Sequence, residues 1–345
     1  MTKVAFRVNG GQKIGMGHVE RCFALAKVVK KKNRRIFFIC KKDKYIRYKV
    51  KENGFRLVEL NGNISLKEDL KETISFLKDK KIDILVTNSY GINQSYLRNI
   101  KKRTSVLLVS IDDLAKFSFP SDIVINQNVY AEELNYNSLT GRTKFLLGPE
   151  YTLLRKEFTK LSPRKINRKV KNVLLTFGGT DLLNLTPRIL GNLDRIEEKF
   201  ETTVIIGPFF SNIEEIEKVS QKISKKINLV YNSSQISKWI LKSDITISGG
   251  GTTLYELAAT GTPAISFCLA NNQKRNIKAM AERGVVIGIV QPDKINGRLF
   301  CQKVKQLLGN YRLRKKMSTL GQELVDGNGA YRVNKIILKT LAEKI

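Results

Sequence analysis

The chain has 345 residues, 42% hydrophobic and 27% charged, a globular composition that excludes disorder and exceeds what one hydrophobic core commonly supports, so two domains are expected. Its 62 Lys and Arg against 31 Asp and Glu give a net charge of +31, which favours anionic partners: nucleic acid, a membrane surface or a sugar nucleotide. The lysines are spread along helix-like stretches such as 27–35 and 218–226 without interleaved aromatics, so nucleic acid is disfavoured and a peripheral attraction to a membrane surface stays open.

In chain order, Val4, Phe6 and Val8 alternate with other residues as a short strand, and Gly10, Gly11, Gly15 and Gly17 follow before a helical pattern over His18 to Lys32. Cys22, Cys40, Cys268 and Cys301 are scattered without a CxxC pair, and the chain has one histidine, so neither a zinc site nor a disulfide framework is indicated. No metal or cofactor is expected. With no run approaching the ~18 apolar residues of a membrane span, a cytoplasmic protein is expected. Strand patterns over Ile36–Cys40, Arg56–Leu60, Ile82–Thr87, Ser105–Ile111 and Asp122–Ile125 alternate with helical ones over Leu66–Lys80 and Asn93–Lys102. Asn88-Ser89-Tyr90, Asp112-Asp113 and Asn126-Gln127-Asn128 fall at carboxyl ends of strands, where ligands of doubly wound sheets bind.

The polar, basic stretch Leu161 to Lys171 reads as a linker between a domain over 1–160 and a second over 172–325. Beyond it, Val173–Phe177 runs into Gly178-Gly179-Thr180-Asp181, and strands recur over Thr203–Ile206, Ile227–Tyr231, Ile245–Ser248, Pro263–Phe267 and Val285–Ile289. The fold class expected is α/β, two Rossmann-like parallel-sheet domains facing a cleft, with His18 and Gly251 on its two sides. A helix within 326–345, carrying Val333, Ile336, Ile337, Leu338 and Leu341, either completes the second domain or crosses back to the first.

Gly15-x-Gly17 after a first strand invites a dinucleotide reading, but Glu20 stands where a third small residue belongs, and Lys41-Lys42 stand where an acid should hold a ribose. NAD and FAD are therefore disfavoured. His18, placed at a helix start behind glycines, suits a general base whose proton affinity is lowered by the helix N-terminus, with a limb of the pH profile near neutrality. In the second half, Gly249-Gly250-Gly251 leads into Thr252, Thr253 and, one turn on, Glu256. Glycine amides and threonine hydroxyls at a helix start suit a diphosphate, and Glu256 on the same face can accept hydrogen bonds from ribose hydroxyls. Without a P-loop lysine, ATP hydrolysis is disfavoured.

Gly15-Met16-Gly17-His18 with Arg21, Ser89-Tyr90-Gly91, Ile111-Asp112-Asp113, Phe177 to Asp181, Gly249 to Glu256 and Asn272-Gln273 together resemble the UDP-2,4-diacetamido-2,4,6-trideoxy-β-L-altropyranose hydrolases of pseudaminic acid biosynthesis. More widely the chain is similar to inverting UDP-sugar glycosyltransferases of GT-B architecture and to spore-coat polysaccharide proteins. The resemblance implies UDP bound by Gly250, Gly251, Thr252, Thr253 and Glu256, and His18 activating water at the anomeric carbon without a metal. It also implies sugar-side or phosphate-side roles for Gly15, Gly17, Arg21, Tyr90, Asn272 and Gln273. That family has an Asp-His pair before the tyrosine, whereas this chain has Asn88-Ser89, so a glycosyltransferase using the same cleft stands as the alternative.

Overall fold

The computed structural model describes residues 2–11, 16–30, 34–294 and 296–344. It divides into two compact units, Met1–Lys156 together with Asn328–Ile345, and Glu157–Gly327.

The N-terminal unit contains β1 (Thr2–Val8), α1 (Gly17–Val29), β2 (Arg34–Lys41), α2 (Lys44–Glu52), β3 (Arg56–Leu60), α3 (Leu66–Asp79), β4 (Ile84–Asn88), α4 (Gln94–Arg103), β5 (Leu107–Ile111), β6 (Ile123–Asn126) and β7 (Lys144–Leu147). All strand pairs are parallel, in the order β3-β2-β1-β4-β5-β6-β7. Strands β4 and β5 are buried throughout, which is why they read as unbroken apolar runs. Side chains alternate between two cores: Phe6, Phe38, Val86 and Val109 meet Phe23 and Leu25 of α1, while Ala5, Phe37, Leu85 and Leu108 meet Leu77 of α3 and Leu97 of α4.

Local chemistry starts the helices. The Asp43 carboxylate accepts the Ile46 N–H at 2.9 Å to cap α2, and Ser65 with Glu68 forms a capping box on α3. Under the first loop, Arg7 is buried in β1 and forms an ion pair with Asp69 of α3, to which the Tyr96 hydroxyl also donates at 2.9 Å. Arg7 Nη1 donates to Asn9 Oδ1 at 2.7 Å, and Asn9 Nδ2 donates to Ser89 Oγ at 3.0 Å. The loops after β1 and β4 are thus tied at their bases.

The last helix, α12 (Gly329–Ala342), belongs to the N-terminal unit: Ala330, Val333 and Ile337 are buried in the same core as α1. Its first residue must be glycine, because a Cβ at Gly329 would overlap the backbone of Thr152.

The C-terminal unit contains β8 (Asn172–Thr176), α5 (Leu185–Asp194), β9 (Glu201–Ile206), α6 (Ile213–Lys222), β10 (Ile227–Tyr231), α7 (Ile236–Lys242), β11 (Ile245–Gly249), α8 (Thr253–Thr260), β12 (Ala264–Phe267), α9 (Lys274–Glu282), β13 (Val286–Ile289), α10 (Gly297–Gly309) and α11 (Tyr311–Leu324). Its parallel sheet runs β10-β9-β8-β11-β12-β13. The expected linker 161–171 is held within this unit: Arg164 N–H donates to Gln322 Oε1 at 2.9 Å, Asn167 Nδ2 to Asp244 Oδ1 at 2.8 Å, and the Arg314 guanidinium to the carbonyls of Asn167 and Arg168, each at 2.8 Å.

Strand order reverses between β1 and β4 in the first sheet and between β8 and β11 in the second. Both glycine loops singled out in the sequence begin at the carboxyl ends of strands flanking these switch points, where a crevice opens in such sheets.

Candidate active site

At the first switch point, four loops bring together residues far apart in sequence. His18 is the second residue of α1, Asn88 ends β4, Tyr90 follows it, and Asp113 follows β5. His18 Nδ1 lies 2.6 Å from Asn88 Oδ1 and 2.9 Å from Arg21 Nη2. Arg21 forms a bidentate pair with Asp113, Nη1 to Oδ1 at 2.7 Å and Nη2 to Oδ2 at 2.9 Å. Asp113 also accepts from Asn128 Nδ2 at 2.9 Å and from the Tyr90 hydroxyl at 3.1 Å. The Tyr90 ring stands edge-on to the imidazole with centroids 4.5 Å apart. His18, Arg21, Asn88 and Asp113 are buried, whereas Tyr90 is 46% exposed and forms the outer wall of the cluster.

Burial, followed by the positive charge of Arg21, pushes the His18 pKa down to about 4, against smaller opposing effects of Asp113 and Asn88. The imidazole is therefore neutral at pH 7, and the limb expected near neutrality from an ordinary histidine is displaced to acid. Asp113 is held well below the usual carboxylate range by Arg21, which outweighs its burial, and Arg21 is raised by Asp113 in turn. Among the described residues His18 Nε2 makes no hydrogen bond. Asp112, adjacent in sequence, does different work: its Oδ1 accepts from Leu114 N–H at 2.8 Å, Ala115 N–H at 2.6 Å and the Tyr136 hydroxyl at 2.8 Å, shaping the turn that presents Asp113. Of the other candidates on this side, Gly17 opens α1 and Gly15 lies outside the described residues.

At the second switch point, the three glycines have different reasons. A Cβ on Gly249 would meet only the flexible end of Leu269, Cδ1 at 2.7 Å, whereas one on Gly250 would collide with Ile277 and crowd Gln273 Cβ, so packing alone requires the second glycine. Gly251 has room: the nearest atom to an added Cβ would be Gln273 Nε2 at 3.9 Å. Thr252 occupies the N-cap position of α8 but its side chain caps nothing, and Thr253 and Glu256 follow on the same face, with Glu256 buried. Gln273, expected on the sugar side, braces the loop, its Oε1 accepting from the Gly250 N–H at 3.2 Å and the Leu269 N–H at 2.9 Å. Asn272 is exposed in the short turn Asn271–Gln273. Asp181, in the loop after β8, caps α5 by accepting from the N–H groups of Leu185 at 2.9 Å and Thr186 at 2.8 Å. Sequence reasoning placed Asp113 and Asn128 in polar clusters at strand ends but did not assign them to the site. The Arg21–Asp113 pairing spans 92 positions and leaves no local signal.

Residues 173–327 match the glycosyltransferase family 28 C-terminal domain. The chain is 29% identical over 272 residues to an uncharacterized protein of Methanocaldococcus jannaschii, a match covering 76% of this chain and 55% of that protein, so the chain spans about half the length of that relative. It is 27% identical over 284 residues to the UDP-2,4-diacetamido-2,4,6-trideoxy-β-L-altropyranose hydrolase of Campylobacter jejuni, covering 82% of this chain and 97% of that enzyme. Among solved structures, MurG of Acinetobacter baumannii superposes with a TM-score of 0.75 at 15% identity over 98% of this chain and 100% of its own. HepE of Anabaena, in complex with UDP and glucose, superposes with a TM-score of 0.62 at 12% identity over 99% of this chain and 100% of its own. The chain thus has two parallel-sheet α/β units, shares its fold with MurG, matches the glycosyltransferase family 28 C-terminal domain over residues 173–327, and is similar in sequence to the UDP-2,4-diacetamido-2,4,6-trideoxy-β-L-altropyranose hydrolase of Campylobacter jejuni.

Proposed function

We propose that this protein is a hydrolase that cleaves a UDP-linked 2,4-diacetamido-2,4,6-trideoxy sugar at the anomeric carbon, releasing UDP and free sugar for surface-glycan synthesis in the cytoplasm. The observation that carries the reading is the buried, neutral His18 at the first switch point, with Nε2 left without a hydrogen bond among the described residues. Water gives a proton to His18 Nε2 as its oxygen attacks the anomeric carbon, and the bond from that carbon to the β-phosphate oxygen breaks with inversion. UDP is held by the C-terminal unit, its diphosphate on the amides of Gly250 and Gly251 and the hydroxyls of Thr252 and Thr253 at the start of α8, and its ribose on Glu256. Gly251 supports this assignment because neither a close neighbour nor a positive φ otherwise demands a glycine there. The reaction draws on no metal, since the leaving charge is met by amides, hydroxyls and the helix terminus. Tyr90, Arg21 and Asn272 are assigned to the sugar side, Arg21 acting through His18 and Asp113.

A second reading, an inverting UDP-sugar glycosyltransferase with a sugar or lipid hydroxyl in place of water, is favoured by the family of the C-terminal unit. Release of UDP from a panel of UDP-sugars, measured with and without acceptors, separates the two. Hydrolysis requires turnover of the 2,4-diacetamido-trideoxy nucleotide in buffer alone; turnover only with an acceptor establishes the transferase.

A further inference from the structure

The proposed base needs its lone pair on Nε2, which is one of two neutral tautomers of an imidazole. Which one forms is decided by the partners of Nδ1, and these are two: the Asn88 amide oxygen at 2.6 Å and the Arg21 Nη2 at 2.9 Å. The first can only accept a proton and the second can only donate one. They therefore demand opposite tautomers.

The backbone resolves the conflict. Asn88 Nδ2 donates to the main-chain carbonyl of His18 itself at 3.1 Å, and a carbonyl accepts only from the amide nitrogen. That contact fixes the amide flip and turns Oδ1 towards Nδ1. If Nδ1 lacked a proton, two lone pairs would face each other across 2.6 Å. Arg21 Nη2 does not need Nδ1, because its two hydrogens have Asp113 Oδ2 at 2.9 Å and Asn88 Oδ1 at 3.4 Å. We propose that Asn88 is a positioning residue that sets the tautomer of His18, taking the Nδ1–H onto its amide oxygen and leaving Nε2 as the basic nitrogen. The charged and titratable groups facing the ring are Arg21 from α1, Tyr90 from the turn after β4 and Asp113 from the turn after β5. Arg21 and Asp113 are locked to each other, so an amide at position 88, with no charge of its own, orients the ring and raises its basicity only through one neutral hydrogen bond. An aspartate there would orient it equally and would also hold its second proton. The functional meaning of this assignment rests on the hydrolytic reading, but the tautomer is a property of the free protein.

The test uses the single histidine of the chain. In the full-length protein labelled with ¹⁵N-histidine, long-range proton–nitrogen spectra between pH 6 and 8 should show Nδ1 protonated and Nε2 bare. Asn88→Asp should keep that tautomer and move the titration midpoint up by about one to three pH units. Asn88→Ala should mix the tautomers and lower kcat by up to about 10²-fold with little change in KM. A wild-type spectrum with the proton on Nε2, or an Asn88→Ala spectrum identical to wild type, overturns the proposal. The wild-type spectrum decides even if Asn88→Asp does not fold. A protein that hydrolyses no UDP-sugar yet carries the Nδ1 proton would retire the hydrolytic reading and leave the tautomer assignment standing.

Discussion

At His18, burial and the neighbouring Arg21 guanidinium give an imidazole that stays neutral down to acid pH; if it is the proposed base, His18→Asn should retain UDP-sugar binding and lose about 10²- to 10⁴-fold in kcat. The acid limb of wild-type kcat/KM should fall near pH 4 and vanish in the variant. The same depression makes a stability prediction. Between pH 6.5 and 4 the unfolded chain takes up a proton that the folded chain refuses, so the contribution is full above the ordinary histidine pKa of 6.5 and is lost as pH falls towards about 4. Urea titrations should therefore show wild type losing about 3 kcal/mol more than His18→Gln over that window. Equal losses would remove the depressed pKa. Sequence made His18 conspicuous, because it is the sole histidine behind a glycine loop, and a helix N-terminus implied a lowered proton affinity, but the limb was expected near neutrality. The depression comes from burial, which only the assembled sheet supplies, and from Arg21 one turn along α1, while Asp113 after β5 opposes it.

The strand–loop–helix element around Gly249 to Glu256 shows how far a motif can be read before packing is known. Three glycines in a row suggested a ligand, and packing against Ile277 of α9 accounts for Gly250. Gly250→Ala should therefore cost about 1–3 kcal/mol of stability through overpacking, seen as a lower urea midpoint. Gly251→Ala should leave stability within about 0.5 kcal/mol and weaken UDP binding in calorimetry. Unchanged UDP affinity in Gly251→Ala would take this loop out of the site. Glu256→Ala should weaken UDP by about 1–3 kcal/mol if the carboxylate holds the ribose. Strand patterns were legible from sequence, Arg56–Leu60 and Ile227–Tyr231 to the residue. In the N-terminal unit two elements escaped: α2, whose buried side chains are only Ile46 and Val50, and β7, four residues long at the sheet edge. Neither carries enough periodicity to stand out from a lysine-rich background.

Across the whole molecule, the chain leaves its first unit at Lys156 and returns to it at Asn328, so the last eighteen residues stabilise a sheet that began at Thr2. Ile337→Ala, in the core shared with α1, should cost about 2–5 kcal/mol in chemical denaturation. A cost within experimental error would detach α12 from that core. The sequence left this return open, since an amphipathic helix after two glycines does not declare which core it fills. The alternation of strands and helices did declare two parallel sheets, and the fold shared with MurG agrees with that architecture. The proposed hydrolysis requires that water attack the anomeric carbon of a UDP-sugar. Hydrolysis of UDP-2,4-diacetamido-2,4,6-trideoxy-β-L-altrose in H₂¹⁸O, followed by mass spectrometry and proton NMR, tests it directly. The account predicts ¹⁸O in the sugar, none in UDP, and an inverted anomer as the first product. Label in the UDP, or no reaction until an acceptor hydroxyl is supplied, would contradict it.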